Sequence, residues 1–241
     1  MRLRTACAGT LAPELACHAG CNLSPFEPFV RVPGKMIRGV SRVSVPDGIL
    51  GAMQRIDGHL VLSPTDLTKH VACAHITTLD LEALDSGSGT RAWASGADDS
   101  LNLVFAKGLE HERAYLERLV AEGRVVEDIA ALGVRGVEAE AATLDAMRRG
   151  VDVIYQATFF DGHWVGLADF LLRVDEPSDL GPWRYDIADT KLARRLKVPA
   201  LLQMATYAAR LELLQGVPPQ WLTVVTGDTE SHPWRLVDVA P

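Results

Sequence analysis

In the first half of the segment 56–241, apolar and polar positions recur mostly with the period of an α-helix. A short strand is predicted over 58–62, followed by a helix to about Leu84 with Ser63 as N-cap and Pro64 at the first helical position. Leucines at 109, 116 and 119 recur at helical spacing, so the segment GLEHERAYLERL predicts an amphipathic helix that starts near 101 and ends at Gly123. A further helix is predicted over 137–149.

Strand patterns dominate the second part of the chain. Three runs rich in β-branched and aromatic residues, VDVIYQATFF, HWVGLADFLLRV and PWRYDIADTKL, predict three consecutive strands. Asp161-Gly162 predicts a hairpin between the first two, and a polar loop joins the second pair. A helix over 198–215 starts with Pro199 and stops at Gly216, and WLTVVTGD predicts a last strand. The order predicts an α/β (α+β) fold with a central mixed sheet flanked by helices.

Periodicity also predicts the domain organisation. Residues 1–55 mix Cys, Pro and Gly without a sustained period, so they are expected to form a poorly ordered or loosely attached extension. Residues 56–241 are expected to form one main domain, because 241 residues suffice for one sizeable core and an appendage. The Ser-, Gly- and Asp-rich stretch 85–99 predicts a loop within it.

Composition narrows the class of protein. No apolar run approaches the roughly 20 residues that cross a bilayer, and Pro13 and Glu14 interrupt the N-terminal apolar stretch before a signal peptide develops. A soluble, cytoplasmic protein is therefore expected, with free thiols. A disulfide or a metal site stays open as the alternative, although Cys17-His18-Cys21 has no second ligand pair downstream for a closed zinc site. The four cysteines are Cys7, Cys17, Cys21 and Cys73.

The net charge of −7 counts against a nucleic-acid partner, because such partners usually meet a basic surface. A local basic patch can coexist with an acidic total, and clustered acids suit a bound cation. Lys191, Arg194, Arg195 and Lys197 form such a basic run directly after the third predicted strand. Phosphate contacts and a solvated connection into the next helix both remain open for this run.

The second and third strands carry the candidate chemistry. Asp169 lies ten residues before Asp179 and Asp189 lies ten after it, so a symmetric hairpin centred there places the two carboxylates opposite each other. Opposed like charges are unfavourable in a sheet unless a cation lies between them. Period-two alternation puts Lys191 on the same face as Asp189. This set suits phosphodiester hydrolysis with a divalent cation, and an ordinary surface ion pair stays open as the alternative.

Two helices supply further candidates. Gln203 and Tyr207 are four residues apart and share a helix face with Arg210, so both polar tips can reach one region, either at a substrate or as a satisfied pair in the core. His111 is a candidate ligand on the earlier helix. Its neighbours Glu110 and Glu112 lie off the His111 face and are expected to be solvated.

These residues also occur in a recognisable order. GLADFLL followed by YDIADTKLARRLKVPALLQMATYAARLELL resembles the core of RecB-type exonucleases and CRISPR-associated adaptation nucleases, which belong to the PD-(D/E)XK superfamily. Asp169 matches the motif aspartate and Asp189-Thr190-Lys191 matches the (D/E)XK element. Gln203 and Tyr207 match the QxxxY motif, and His111 in GLEHE matches a histidine metal ligand. The segment SPTDLTKHVACAHITTLDL resembles the opening of a RecB-like family.

The resemblance implies a restriction-endonuclease-like core and a metal-dependent exodeoxyribonuclease of DNA repair or recombination. It implies Mg²⁺ or Mn²⁺ bound by His111, Asp169, Asp189 and the Thr190 carbonyl, with Lys191 positioning the attacking water. Nucleic-acid contacts would come from Gln203, Tyr207, Arg194, Arg195 and Arg210. The sequence has no GxxxxGK[ST] motif, so any helicase or ATPase action is expected from a separate partner. No membrane partner is expected.

The sequence departs from the families that it resembles after Tyr207. Several of them hold an iron-sulfur cluster with one cysteine before the core and three after the QxxxY motif. Cys73 occupies the first position, but no cysteine follows it here, so no complete Cys₄ cluster is expected. The chain also stops soon after the last predicted strand, which suggests a shortened form. A catalytically silent nucleic-acid-binding or assembly module and an RNA-directed nuclease therefore remain alternatives.

Overall fold

The computed structural model describes residues 29–32, 35–38, 53–86, 99–194 and 197–240. Most of the predicted N-terminal extension, 87–98 of the predicted loop, and Arg195 lie outside these residues. The described strands are β1 (Phe29–Val32), β2 (Lys35–Arg38), β3 (Gln54–Ile56), β4 (His59–Val61), β5 (Val126–Asp128), β6 (Val153–Phe160), β7 (Val165–Val174), β8 (Arg184–Lys191), β9 (Trp221–Thr226) and β10 (Ser231–Arg235). The described helices are α1 (Pro64–Ala72), α2 (Ala74–Asp85), α3 (Asp99–Ala121), α4 (Gly136–Arg148), α5 (Val198–Gln215) and α6 (Leu236–Val239).

One mixed sheet organises the domain. Strands β5 to β10 follow each other in chain order, and the β1–β2 hairpin extends the sheet beside β5. The β5–β6 and β8–β9 pairs are parallel, whereas β6–β7, β7–β8 and β9–β10 are antiparallel. The predicted mixed α/β architecture is therefore confirmed at this level.

Helices cover both faces of the sheet. Helix α3 covers one face with a cluster that comprises Tyr115, Leu116, Leu119, Val126, Val153, Tyr155, Phe170, Ala188 and Val225. Helices α4 and α5 cover the other face with a larger cluster that includes Ala146, Met147, Ile154, Phe159, Leu171, Ile187, Met204, Tyr207, Leu211 and Leu222. Among the described residues, no helix combines the length and apolarity that a membrane crossing requires.

The N-terminal part of the described domain confirms the predicted helix start and corrects the helix length. Asp66 accepts hydrogen bonds from the Ser63 N–H (2.8 Å) and hydroxyl (2.7 Å), which fixes the start of α1 at Pro64. The single helix predicted to Leu84 is wrong, because Cys73 adopts an extended conformation and separates α1 from α2. Strand β3 was not predicted; it pairs with β4 around Asp57-Gly58, where both residues have positive φ.

The central strands follow the predicted pattern closely. The three predicted runs become β6, β7 and β8, and α5 has the predicted bounds. Leu172 pairs with Asp186 and Phe170 with Ala188, which is the register of a hairpin centred on Asp179. Strand β5, strand β10 and helix α6 were not predicted; all three are short.

The side-chain alternation of β6 and β7 changes phase at one point. Tyr155 packs under α3, but Ala157, two residues on, packs under α4 and α5. On β7, Phe170 likewise packs under α3, whereas Ala168 packs under α4 and α5. The residue between the first pair, Gln156, has φ 54°, in the left-handed region that a glutamine rarely adopts. The strands therefore switch faces at this point, next to Asp169.

Candidate active site

Strands β7 and β8 separate where the candidate carboxylates lie. Their pairing stops at Phe170 and Ala188. Beyond it, the Thr190 N–H (2.9 Å) and hydroxyl (3.1 Å) both donate to Oδ2 of Asp169. The Asp169 carboxylate thus takes the place of the next backbone pair and lies beside Asp189, as the hairpin symmetry predicts.

Asp189 is buried, with the Lys191 ammonium as its ionic partner. The residue is 1% exposed, and neither carboxylate oxygen accepts a hydrogen bond from a backbone N–H or a neutral side chain of the described residues. The Lys191 ammonium makes an ionic contact of 2.5 Å to Oδ2. Burial, and then repulsion from Asp169, raises the pKa of Asp189 to about 7, although Lys191 opposes this rise. A buried carboxylate in this state is costly unless a positive charge compensates it.

Lys191 provides one positive charge at this position. It lies two residues after Asp189 on the same face of β8, as period-two alternation predicts. Burial lowers the pKa of Lys191, but the carboxylates of Asp189 and Asp169 outweigh burial and leave that pKa above its ordinary value. Lys191 is therefore a cation held between carboxylates on one side and solvent on the other.

Glu112 belongs to this group, although it was expected to be solvated. That expectation is wrong, because the residue is only 9% exposed. Burial and then repulsion from Asp169 raise the pKa of Glu112 to about 7. Hydrogen bonds from the Tyr155 hydroxyl and the Gln156 side-chain amide oppose this rise and hold the carboxylate in place. A third acidic side chain, on α3, therefore lies within electrostatic range of Asp169, although these three carboxylates do not lie close enough together to hold one metal ion.

Gln156 connects the phase change in the sheet to the site. Its left-handed backbone lies between Tyr155 and Ala157, and its side chain donates to Glu112. Strained residues of this kind cost on the order of 1–3 kcal/mol and tend to lie at functional sites. The sequence carried one signal of this feature, a polar residue inside an otherwise apolar strand, VIYQATFF.

His111 contacts a backbone carbonyl group rather than the candidate carboxylates. Its Nε2 donates to the backbone carbonyl of Val225 at 3.1 Å. Within the described ranges, no three His, Cys, Asp or Glu side chains lie close enough together to hold a metal ion. The structure therefore does not bring His111 together with Asp169 and Asp189, and its role as a ligand stays a prediction.

The QxxxY residues form a pair with each other. Gln203 Nε2 donates to the Tyr207 hydroxyl at 2.7 Å. Tyr207 is 3% exposed and packs against Gly166, so its ring belongs to the core. Gln203 is half-buried and lines a cavity that Lys191 also lines. Of the two, Gln203 is the one with access to a ligand beside the site.

The predicted arginine contacts fall in different places. Arg210 donates to both oxygens of Glu140 at 2.8 Å and so links α5 to α4. Arg194 is exposed just after β8. Arg195 is outside the described residues, so its predicted contact stays untested.

The donor set fits a hard divalent cation. Mg²⁺ commonly binds through one or two carboxylates, several waters and substrate phosphate. Asp169 and Asp189 provide the two carboxylates, and Lys191 contributes a single positive charge to the pair. Glu112, when ionised, adds negative charge near Asp169 from α3.

Comparison with known proteins adds no relative. No protein-family model, no curated protein and no solved structure matches the chain.

Proposed function

We propose that this chain is a metal-dependent nuclease that hydrolyses DNA phosphodiester bonds, built on a RecB-like PD-(D/E)XK core of the restriction-endonuclease type. Support for the proposal comes from the motif order in the sequence and from the group of Asp169, Asp189, Glu112 and Lys191 at one end of the sheet.

The carboxylate of Asp189 carries the proposal. A surface ion pair would leave both partners solvated, but Asp189 is 1% exposed, and apart from the Lys191 ammonium its oxygens have no hydrogen-bond donor among the described residues. Proteins keep such a group where a cation compensates it during function. The simpler alternative, an exposed Asp–Lys pair on a hairpin, does not account for this burial.

Each side chain then has a separate role. Asp169, oriented by Thr190, and Asp189 would hold the cation. A bound divalent cation supplies Lewis-acid polarisation of the phosphate. Lys191 orients the attacking water and stabilises the negative charge that develops on the phosphate. Gln156 and Tyr155 hold Glu112 in place, and its carboxylate, when ionised, adds negative charge near Asp169.

A cleavage assay tests the proposal. Purified protein is incubated with single-stranded and double-stranded DNA, with Mg²⁺, with Mn²⁺ and with a chelator. Wild-type protein should cleave DNA only when metal is present, and Asp189→Ala should lower the cleavage rate at least about 100-fold. RNA of the same sequence is included as a parallel substrate.

Asp186→Asn is the matched control, because Asp186 lies on the same strand but bonds Arg184 and the Gln220 N–H. Asp186→Asn should lower the free energy of unfolding, whereas the protein that remains folded should lose less of its cleavage rate. Folded protein that cleaves no DNA with either metal, or whose Asp189→Ala variant cleaves like wild type, would refute the proposal.

One observation favours a second candidate function. The Lys191 ammonium already contacts Asp189, and no set of three potential metal ligands is assembled in the described part of the chain. A catalytically silent module that binds nucleic acid would have these properties. It would bind DNA without turnover in the same assay.

A further inference from the structure

A cavity lies directly beside the candidate active site. Its volume is about 220 Å³, and it is bounded by the ends of β8 and β9, the start of α5 and one side of α1. Its polar lining consists of Thr68, Lys191, Lys197, Gln203 and Thr226. Since Lys191 also contacts Asp189, a group bound in the cavity would be next to the carboxylates.

The charge of the cavity favours an anion. Two of its lining side chains are lysines and none is acidic, although the whole chain has a net charge of −7. Lys197 makes no ion pair with any described residue, so its ammonium is free to bind a ligand. Gln203 lines the cavity, and its bond to Tyr207 occupies one of its two amide N–H groups, which leaves the other for a ligand.

The remaining walls favour a ligand that is part apolar. Ala193, Pro199 and Ala200 line the cavity with small apolar surfaces. The Thr68 hydroxyl already donates within α1 to the Thr65 carbonyl at 2.8 Å, so it has no proton left to donate to a ligand. The volume is below the roughly 300–1,000 Å³ of pockets for larger small molecules. It suits one phosphate with its sugar and is too small to enclose a base pair as well.

We propose that this cavity binds one sugar-phosphate unit of a single nucleic-acid strand, next to the bond that is cleaved. The inference rests on the proposed nuclease function for the identity of the ligand as nucleic acid. It extends that function by assigning Lys197 and Thr68 to a substrate subsite and by naming a single strand as the preferred substrate.

Equilibrium binding tests the subsite without any turnover. The probe is a fluorescent single-stranded oligonucleotide of about a dozen nucleotides, titrated in chelator at several salt concentrations. Lys197→Glu should weaken binding at least about tenfold, and Lys197→Ala should lower the slope of log K against log salt by about 0.7, the value for one lost phosphate contact on a single strand. Thr68→Leu, which fills the cavity, should weaken binding without changing that slope.

Each variant has a matched control. Arg148→Glu makes the same charge change on an exposed residue of α4 at the other end of the sheet, and Thr65→Leu makes the same size change on the exposed side of α1. Both controls should bind like wild type. Inorganic phosphate and a mononucleotide serve as competitors, and the mononucleotide should compete more strongly because its sugar also contacts the cavity.

The outcomes separate the two proposals. Variants at Lys197 and Thr68 that bind like wild type, or controls that lose as much affinity, overturn the subsite even if the protein cleaves DNA. Equal effects on a duplex of the same sequence overturn the single-strand preference. If the variants bind more weakly but the protein never cleaves DNA, the subsite proposal stands and the nuclease proposal fails.

Discussion

At the scale of single residues, Asp189 shows how burial and charge determine the chemistry of the site. The residue is enclosed by β8 and its neighbours, with Lys191 in ionic contact and Asp169 beside it. Burial disfavours the ionised form, and each nearby carboxylate disfavours it further. Between about pH 4 and about pH 7, the folded, metal-free protein therefore keeps a proton on Asp189 that the unfolded chain has already released.

This difference in proton binding predicts a pH dependence of stability. Unfolded Asp and Glu release their protons near pH 4, whereas Asp189 and Glu112 retain theirs to a pKa of about 7 in the folded protein. The folded state binds more protons across that window, so the stability contribution of these groups falls as the pH rises from about 4 to about 7 and is lost above it.

Calorimetry in chelator at pH 5 and pH 8 measures the effect. Wild-type protein should lose more stability between the two pH values than Asp189→Asn does, by about 1 kcal/mol or more, which corresponds to a Tm difference of about 2–4 °C. Asp128, whose pKa burial raises to about 6, contributes to both proteins equally. An identical pH dependence in both proteins would count against the assigned state of Asp189.

At the scale of elements, the contact between β7 and α5 fixes the position of the site. A Cβ atom on Gly166 would lie 2.6 Å from Cε1 of Tyr207. Tyr207 is buried and cannot move away without disturbing the core. Gly166→Ala should therefore destabilise the protein by about 1–3 kcal/mol, measured by chemical denaturation.

Gly108 in α3 provides the opposite case. Among the described residues, a Cβ atom there would meet only Leu192 Cδ1, at 4.0 Å, which is ordinary contact. Gly108→Ala should stabilise the protein by about 0.5–1 kcal/mol, because alanine favours a helix interior more than glycine does. If Gly166→Ala were as well tolerated as Gly108→Ala, the close packing of α5 on β7 would be wrong.

Local patterns were sufficient to predict the long elements. The Pro199 and Gly216 signals gave both ends of α5, and hairpin symmetry gave the register that sets Asp169 beside Asp189. These features depend on turn chemistry and side-chain period, which are encoded within short segments.

Features that depend on tertiary contacts were not predictable in the same way. The extended conformation at Cys73 divides α1 from α2 in a segment without Pro or Gly. Glu112 is buried because the sheet changes phase at Gln156 and places an amide and a phenol next to α3. Period-based reasoning assumes regular alternation and so could not place this carboxylate in the site.

At the scale of the whole molecule, the site and the cavity lie at the same end of the sheet. Strands β8 and β9 are parallel, and Lys191 and Thr226, which end them, both line the cavity. Ligands in α/β proteins commonly bind outside the carboxyl ends of parallel strands. Helix α3 brings Glu112 from one face and α5 brings Gln203 from the other. The two layers thus bring a carboxylate and an amide to the same end of the sheet.

In the proposed mechanism, Asp189 binds a cation, whereas Lys191 orients the attacking water and stabilises the charge that develops on the phosphate. The most direct test is calorimetric titration of Mn²⁺ into wild type, Asp189→Asn and Lys191→Ala, with cleavage measured on the same samples. Asp189→Asn should lose metal affinity and turnover together. Lys191→Ala removes a positive charge but no ligand, so it should bind metal at least as well as wild type and cleave about 10² more slowly or worse. Loss of metal binding in Lys191→Ala as complete as in Asp189→Asn, or unchanged cleavage by Lys191→Ala, would contradict the account.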